Sequence, residues 1–155
     1  PDRVVYLDDV VDTASVRITS TSPVLMITPK DGDAPALVAK LRKLPHVSSW
    51  LRADVPERLH FNEGRRITPV VAVAEDGWTI ATRGRRSGPR GGAHGYDNAN
   101  ASMNALFVAH GPAFARGAKV GAFPNVDVYD VIAKILRLTP APNDGSLAPF
   151  ASVLH

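Results

Sequence analysis

From Val126 to Leu138 almost every residue is apolar or small, and only Asp127, Asp130, Lys134 and Arg137 break the run. A helix of that pattern carries too narrow a polar stripe for a surface helix, so it demands cover on most of its circumference. Asn125 is placed to cap it, and Pro140, Pro142, Asn143 and Gly145 end the regular structure behind it. The other strongly apolar element of this half, Ala105-Leu106-Phe107-Val108-Ala109, reads as a short strand closed by Gly111-Pro112. Layered folds cover both faces of such elements, and this half offers little to cover them with. The cover has to come from the first half, or from residues outside this sequence of 155.

The first half reads as a small α+β unit. Val4 to Leu7 and, more weakly, Ser15 to Thr19 suggest strands, and Pro23 to Thr28 is an apolar run typical of a buried strand. Asp33 is an N-cap candidate with Pro35 in the first turn, and Leu37, Leu41 and Leu44 recur on one helical face. Val47 to Leu51 follows as a strand. Pro69 to Ala74 and Trp78 to Thr82 flank Asp76-Gly77, a pair that predicts a two-residue hairpin.

Composition removes several kinds of chemistry. There is no Cys, so disulfides and thiolate zinc sites are excluded and any zinc must be held by His and carboxylates. No Gly-x-Ser-x-Gly, Walker-type loop, His-Glu-x-x-His or calcium-loop spacing occurs. No apolar run approaches the length that spans a bilayer. Asp8, Asp9 and Asp12 read as a solvated stretch rather than a cation site. Arg83, Arg85, Arg86 and Arg90 crowd one Gly-rich loop, yet the net charge is only +3 and no aromatic residue lies among them for bases to stack on. That loop is expected to be solvated and to bind no nucleic acid. An independent binding module using it for anionic partners is the alternative reading.

Of the five His, His46, His60, His94, His110 and His155, only His94 sits in a suggestive setting, Gly91-Gly92-Ala93-His94-Gly95-Tyr96-Asp97-Asn98. Flanking glycines let backbone approach a ligand closely, and Asp97 or Asn98 can order the turn.

With these residues, Gly92 to Asn98, Met103, Phe107 to Phe114, Phe123 to Tyr129 and Pro140 to Ser146, the sequence resembles the nucleotide pyrophosphatase/phosphodiesterase family of the alkaline phosphatase superfamily. Arg3 to Asp9, Val55 to His60 and Val70 to Trp78 carry the same likeness, which therefore covers nearly the whole chain. Ala93 and Asp144 depart from common family residues, at positions that do not ligate metal in the family pattern.

The resemblance implies an α/β chain, part of a three-layer α/β/α fold. Residues 1–82 would form a small inserted α+β lobe, and residues 83–155 the C-terminal part of the catalytic core. It implies a zinc-dependent phosphodiesterase or nucleotide pyrophosphatase with two Zn²⁺ per intact site and a Thr nucleophile. His94 maps to a zinc ligand, whereas His110 does not. The Thr, the other ligands and an Asp-His-Gly-Met motif are expected before Pro1, so the chain alone is expected to be inactive. Its partners would be the N-terminal part of the same enzyme and a small phosphodiester or nucleotide substrate, with self-association possible for the isolated fragment. The compartment implied is extracellular or periplasmic. A non-catalytic fragment kept for folding or regulation is a third reading.

Overall fold

The computed structural model describes residues 3–84 and 92–155. Two compact units divide it, residues 1–105 and 106–155, and its elements are mixed α and β.

In the first unit, β2 (Val16–Ser20), β3 (Val24–Pro29), β5 (Val70–Ala74) and β4 (Val47–Leu51) form an antiparallel sheet in that spatial order. Side chains alternate across a strand, so Leu25, Ile27 and Pro29 of β3 are buried while Val24, Met26 and Thr28 are only half-buried. Helix α1 (Ala34–Leu41) joins β3 to β4 and packs on β3, β4 and β5. The predicted cap is present: the Ala36 amide donates to Asp33 Oδ1 at 3.0 Å, with Pro35 in the first turn. Leu37, Leu41 and Leu44 are all buried, as their spacing requires, each contributing about 1.5–3 kcal/mol of apolar burial. Around them lies one core that includes Val5, Leu7, Val16, Leu25, Ile27, Val70, Ala72 and Ile80.

One sequence expectation fails here. Glu75 to Trp78 does make a tight turn, with Gly77 at φ +77 and the Trp78 amide donating to Glu75 O at 2.9 Å. The flanking strands, however, do not form a hairpin. β6 (Thr79–Ala81) pairs in parallel with β1 (Val4–Tyr6) in a separate two-stranded sheet. The reason is that β5 has no edge to offer, because β3 holds one side and β4 the other. The turn is instead fastened by His46, whose Nδ1 lies 2.6 Å from Glu75 Oε2 and whose ring stacks on Trp78 at 3.7 Å.

The acidic stretch also has local roles. Asp12 Oδ1 accepts the Ala14 amide at 2.9 Å, Asp8 Oδ2 accepts the Arg83 amide at 2.9 Å, and Asp9 pairs with the Arg83 guanidinium. Arg83 also lies over the Tyr6 ring, 4.4 Å from its centroid.

The second unit is built on α2 (Asp127–Leu136). Asn125 is not its side-chain cap, since no cap hydrogen bond from a side chain is made there. The helix is also not covered as its composition demands. Val131 and Ala133 are buried, but Tyr129, Ile132, Ile135 and Leu136 are 41–60% exposed. Instead, part of the polar stripe goes inside: Asp127 and Asp130 are buried against the turn that follows the helix. The Ser146 amide donates to Asp127 Oδ1 at 2.9 Å, and Asn143 Nδ2 donates to Asp130 Oδ1 at 3.1 Å. Carboxylates in the first helical turn also sit favourably in the helix dipole.

Gly145 is required in that turn. A Cβ there would lie 2.7 Å from the Val126 carbonyl oxygen, backbone that cannot swing aside. Gly145→Ala is therefore expected to destabilise the second unit by about 1–3 kcal/mol. Faster amide exchange across α2, with the β3–β5 amides unchanged, would show it; unchanged α2 protection would refute it.

The expected strand Ala105–Ala109 does not form. The segment runs without a ladder partner among the described residues, with Leu106 89% and Val108 75% exposed. A strand exists only by pairing, and this segment pairs with none of the described strands. What core the unit has is centred on Val131, Phe150 and Val153, with Phe107 and Phe123 set edge-on to Phe150.

Candidate functional site

His94 lies in an exposed, irregular segment of the first unit. Its ring makes no hydrogen bond or ion pair among the described residues, while the residues after it are firmly held. Gly95 adopts φ +89, a conformation that glycine takes without penalty, with its Cα side facing Pro23. Tyr96 is buried, and its hydroxyl donates to the Trp78 carbonyl at 3.0 Å. Asp97 then binds Arg58 in bidentate fashion, Nη1 to Oδ1 and Nη2 to Oδ2, both at 2.6 Å. Arg58 Nη1 also donates to Asn98 Oδ1 at 3.3 Å, and Asp97 Oδ1 accepts the Ala99 amide at 2.9 Å.

The electrostatics follow from that pair. The Arg58 hydrogen bonds, aided by the Ala99 amide and the guanidinium charge, bring the Asp97 carboxyl from 3.8 down to about 2. Because the folded value is depressed, the pairing is complete above the ordinary carboxylate value and is lost as the pH falls through about 2. At any neutral pH the loop is clamped.

Sequence reasoning singled out His94 and left Asp97 and Asn98 as residues that could order the turn. The structure gives Asp97 that role and adds two residues not anticipated, Arg58 and Tyr96. Both stand in segments that carry the family resemblance, Val55 to His60 and Gly92 to Asn98. The signal was a charged residue of opposite sign in each. No local pattern could tell that segments 39 residues apart meet.

For a metal, the described residues supply no group of three or more His, Asp or Glu that could hold one. Near His94 the described residues therefore offer at most one donor, its exposed imidazole. His110 is exposed on the ladderless segment of the second unit. Arg85, Arg86 and Arg90 lie outside the described residues, and Arg83 is engaged with Asp9 and Tyr6.

Residues 1–97 match the family model described as type I phosphodiesterase / nucleotide pyrophosphatase. The chain belongs to this family. The bis(5'-adenosyl)-triphosphatase of Bos taurus is 39% identical over 94% of the chain, and the human ectonucleotide pyrophosphatase/phosphodiesterase family member 5 is 36% identical over 94%. A venom phosphodiesterase of Naja atra is 35% identical over 94%. The solved structure of human ectonucleotide pyrophosphatase / phosphodiesterase 5 superposes with a TM-score of 0.89 at 34% identity, over 99% of this chain. The mixed α/β architecture expected from the sequence is thus that of the family. The chain spans only 19–32% of the length of these curated relatives and 41% of the solved structure's chain.

Proposed function

We propose that this chain is the C-terminal portion of a zinc-dependent phosphodiesterase or nucleotide pyrophosphatase, in which His94 is one ligand of a two-zinc site. The supporting observation is the clamped loop itself: a family-matching segment in which Gly95, Tyr96, Asp97 and Asn98 are all tied or turned, while the exposed His94 makes no hydrogen bond or ion pair among the described residues. His94 binds metal as the neutral ring. Zinc held there supplies Lewis-acid stabilisation of charge on phosphate oxygens and a more acidic attacking hydroxyl. The Thr nucleophile and remaining ligands belong, in this reading, to the N-terminal part of the enzyme.

That N-terminal part is also the partner proposed for the apolar stripe Tyr129, Ile132, Ile135 and Leu136 and for the ladderless Leu106 to Val108, since soluble proteins rarely leave such patches open. Self-association is the fate proposed for the isolated chain. Residues 1–82 as an inserted lobe and 83–155 as part of the catalytic core belong to the same proposal. So does an extracellular setting, which rests on the names of the ecto- and venom relatives; among the described residues no helix is long and apolar enough to cross a membrane. A module binding anions through Arg83 to Arg90 is the weaker reading, because Arg83 is already committed to Asp9.

The test compares residues 1–155 alone with the same residues joined to the preceding family sequence, assayed on a chromogenic phosphodiester with added Zn²⁺. Turnover is expected only from the longer protein. Zinc-dependent turnover by residues 1–155 as a monodisperse monomer would overturn the proposal.

A further inference from the structure

The bidentate Arg58–Asp97 pair ties the His94 loop to the rest of the first unit across the surface, and its position poses a question of purpose. Both side chains are substantially solvent-exposed, 52% for Arg58 and 29% for Asp97. Exposed ion pairs add little to global stability. Yet this one has the fork-to-fork geometry that fixes direction as well as distance, and it joins the short helical turn Glu57–Leu59 to the irregular segment that carries His94.

We infer that Arg58 is a positioning residue for the metal held at His94, acting through Asp97 on the loop that carries the imidazole. The inference rests on the reading of His94 as a zinc ligand. Asp97 fastens its own turn by accepting the Ala99 amide, so the segment from Asp97 to Asn100 is a rigid corner even without Arg58. Arg58 sets where that corner sits, and its contact with Asn98 Oδ1 adds a second point of reference. Tyr96 anchors the loop through its ring, buried in the core of the first unit, and through its hydroxyl on the Trp78 carbonyl; Arg58 adds the tether on the residue that follows. A ligand three residues before the corner inherits its placement from both tethers. Without the guanidinium the imidazole samples more positions, and metal binding must then order it.

The experiment uses the intact zinc-loaded enzyme and reads metal rather than turnover: zinc release to a chelator, and the visible spectrum of the cobalt-substituted protein. Arg58→Met and Asp97→Asn are each expected to weaken one of the two metals about tenfold, the size typical of groups that orient ligands, and to alter its cobalt bands. The double variant should lose less than the two single losses combined, because both act on the same ion pair. Arg58→Lys should recover part of the loss. His94→Ala, which removes that zinc outright, separates the two claims. If it loses a zinc equivalent while Arg58→Met and Asp97→Asn release metal as the wild type does, the positioning role is overturned and the ligand reading stands. If His94→Ala keeps both metals, the ligand reading falls and the positioning role with it. Should Arg58→Met fail to fold, Asp97→Asn carries the same test, since it retains the oxygen that accepts the Ala99 amide.

Discussion

In the intact enzyme, His94→Ala is expected to remove about one zinc equivalent and to lower diester hydrolysis roughly a thousandfold. The magnitude follows from what a metal ligand controls. Metal stabilisation of the transferring phosphoryl group is worth several kcal/mol, and each ~1.4 kcal/mol is a factor of ten in rate. The ring is exposed, so its removal breaks no hydrogen bond or ion pair among the described residues. Thermal stability of the metal-free protein should therefore be unchanged, and the loss should appear in metal content and rate alone. His110→Ala is the control: an exposed imidazole in the other unit, expected to leave both zinc equivalents in place. Unchanged metal and unchanged hydrolysis in His94→Ala would remove His94 from the site.

The largest structural effect is expected at Phe150. It is 1% exposed, and its ring meets Phe123 at 4.6 Å and Phe107 at 5.7 Å in edge-on arrangements. The core of this unit is small, Val131, Phe150 and Val153 with partly buried residues such as Phe114, Phe123 and Leu147 packed on them, so losing this ring removes its largest buried piece. Truncating a buried Phe costs about 3–5 kcal/mol through lost transfer energy and the cavity left behind. A small unit has little stability in excess of that figure. Phe150→Ala should abolish amide protection across α2 while leaving β3 and β5 protected. Retention of α2 protection would mean that something other than this aromatic cluster holds the unit together.

Local chemistry was readable where a residue's own neighbours decide its state. Asp33 caps α1, Pro35 tolerates its first turn and Leu37, Leu41 and Leu44 turn inward, because capping and helical periodicity act within a few residues. Asp76-Gly77 made its turn for the same reason. What that turn connects was not a local matter. Whether β6 returns onto β5 depends on whether β5 has an open edge, and β3 and β4, both distant in sequence, had taken both.

The same division runs through the site and the second unit. Residue types and order marked His94, since a His among glycines in a family-like motif is a property of the chain itself. They could not show that Asp97 is held at about 2 by Arg58, or that Tyr96 is the loop's second tether, because both depend on segments that meet only after folding. Composition predicts cover for α2, as hydrophobic area is a sum over residues, and four of its apolar residues are nevertheless exposed. Tertiary structure decided which face receives it: Asp127 and Asp130 went inside because the turn at Asn143 to Ser146 brings them donors, which makes a buried carboxylate affordable. Leu106 and Val108 are exposed because a strand is made by its partner, and the apolar run Ala105 to Ala109 states only a readiness to pair.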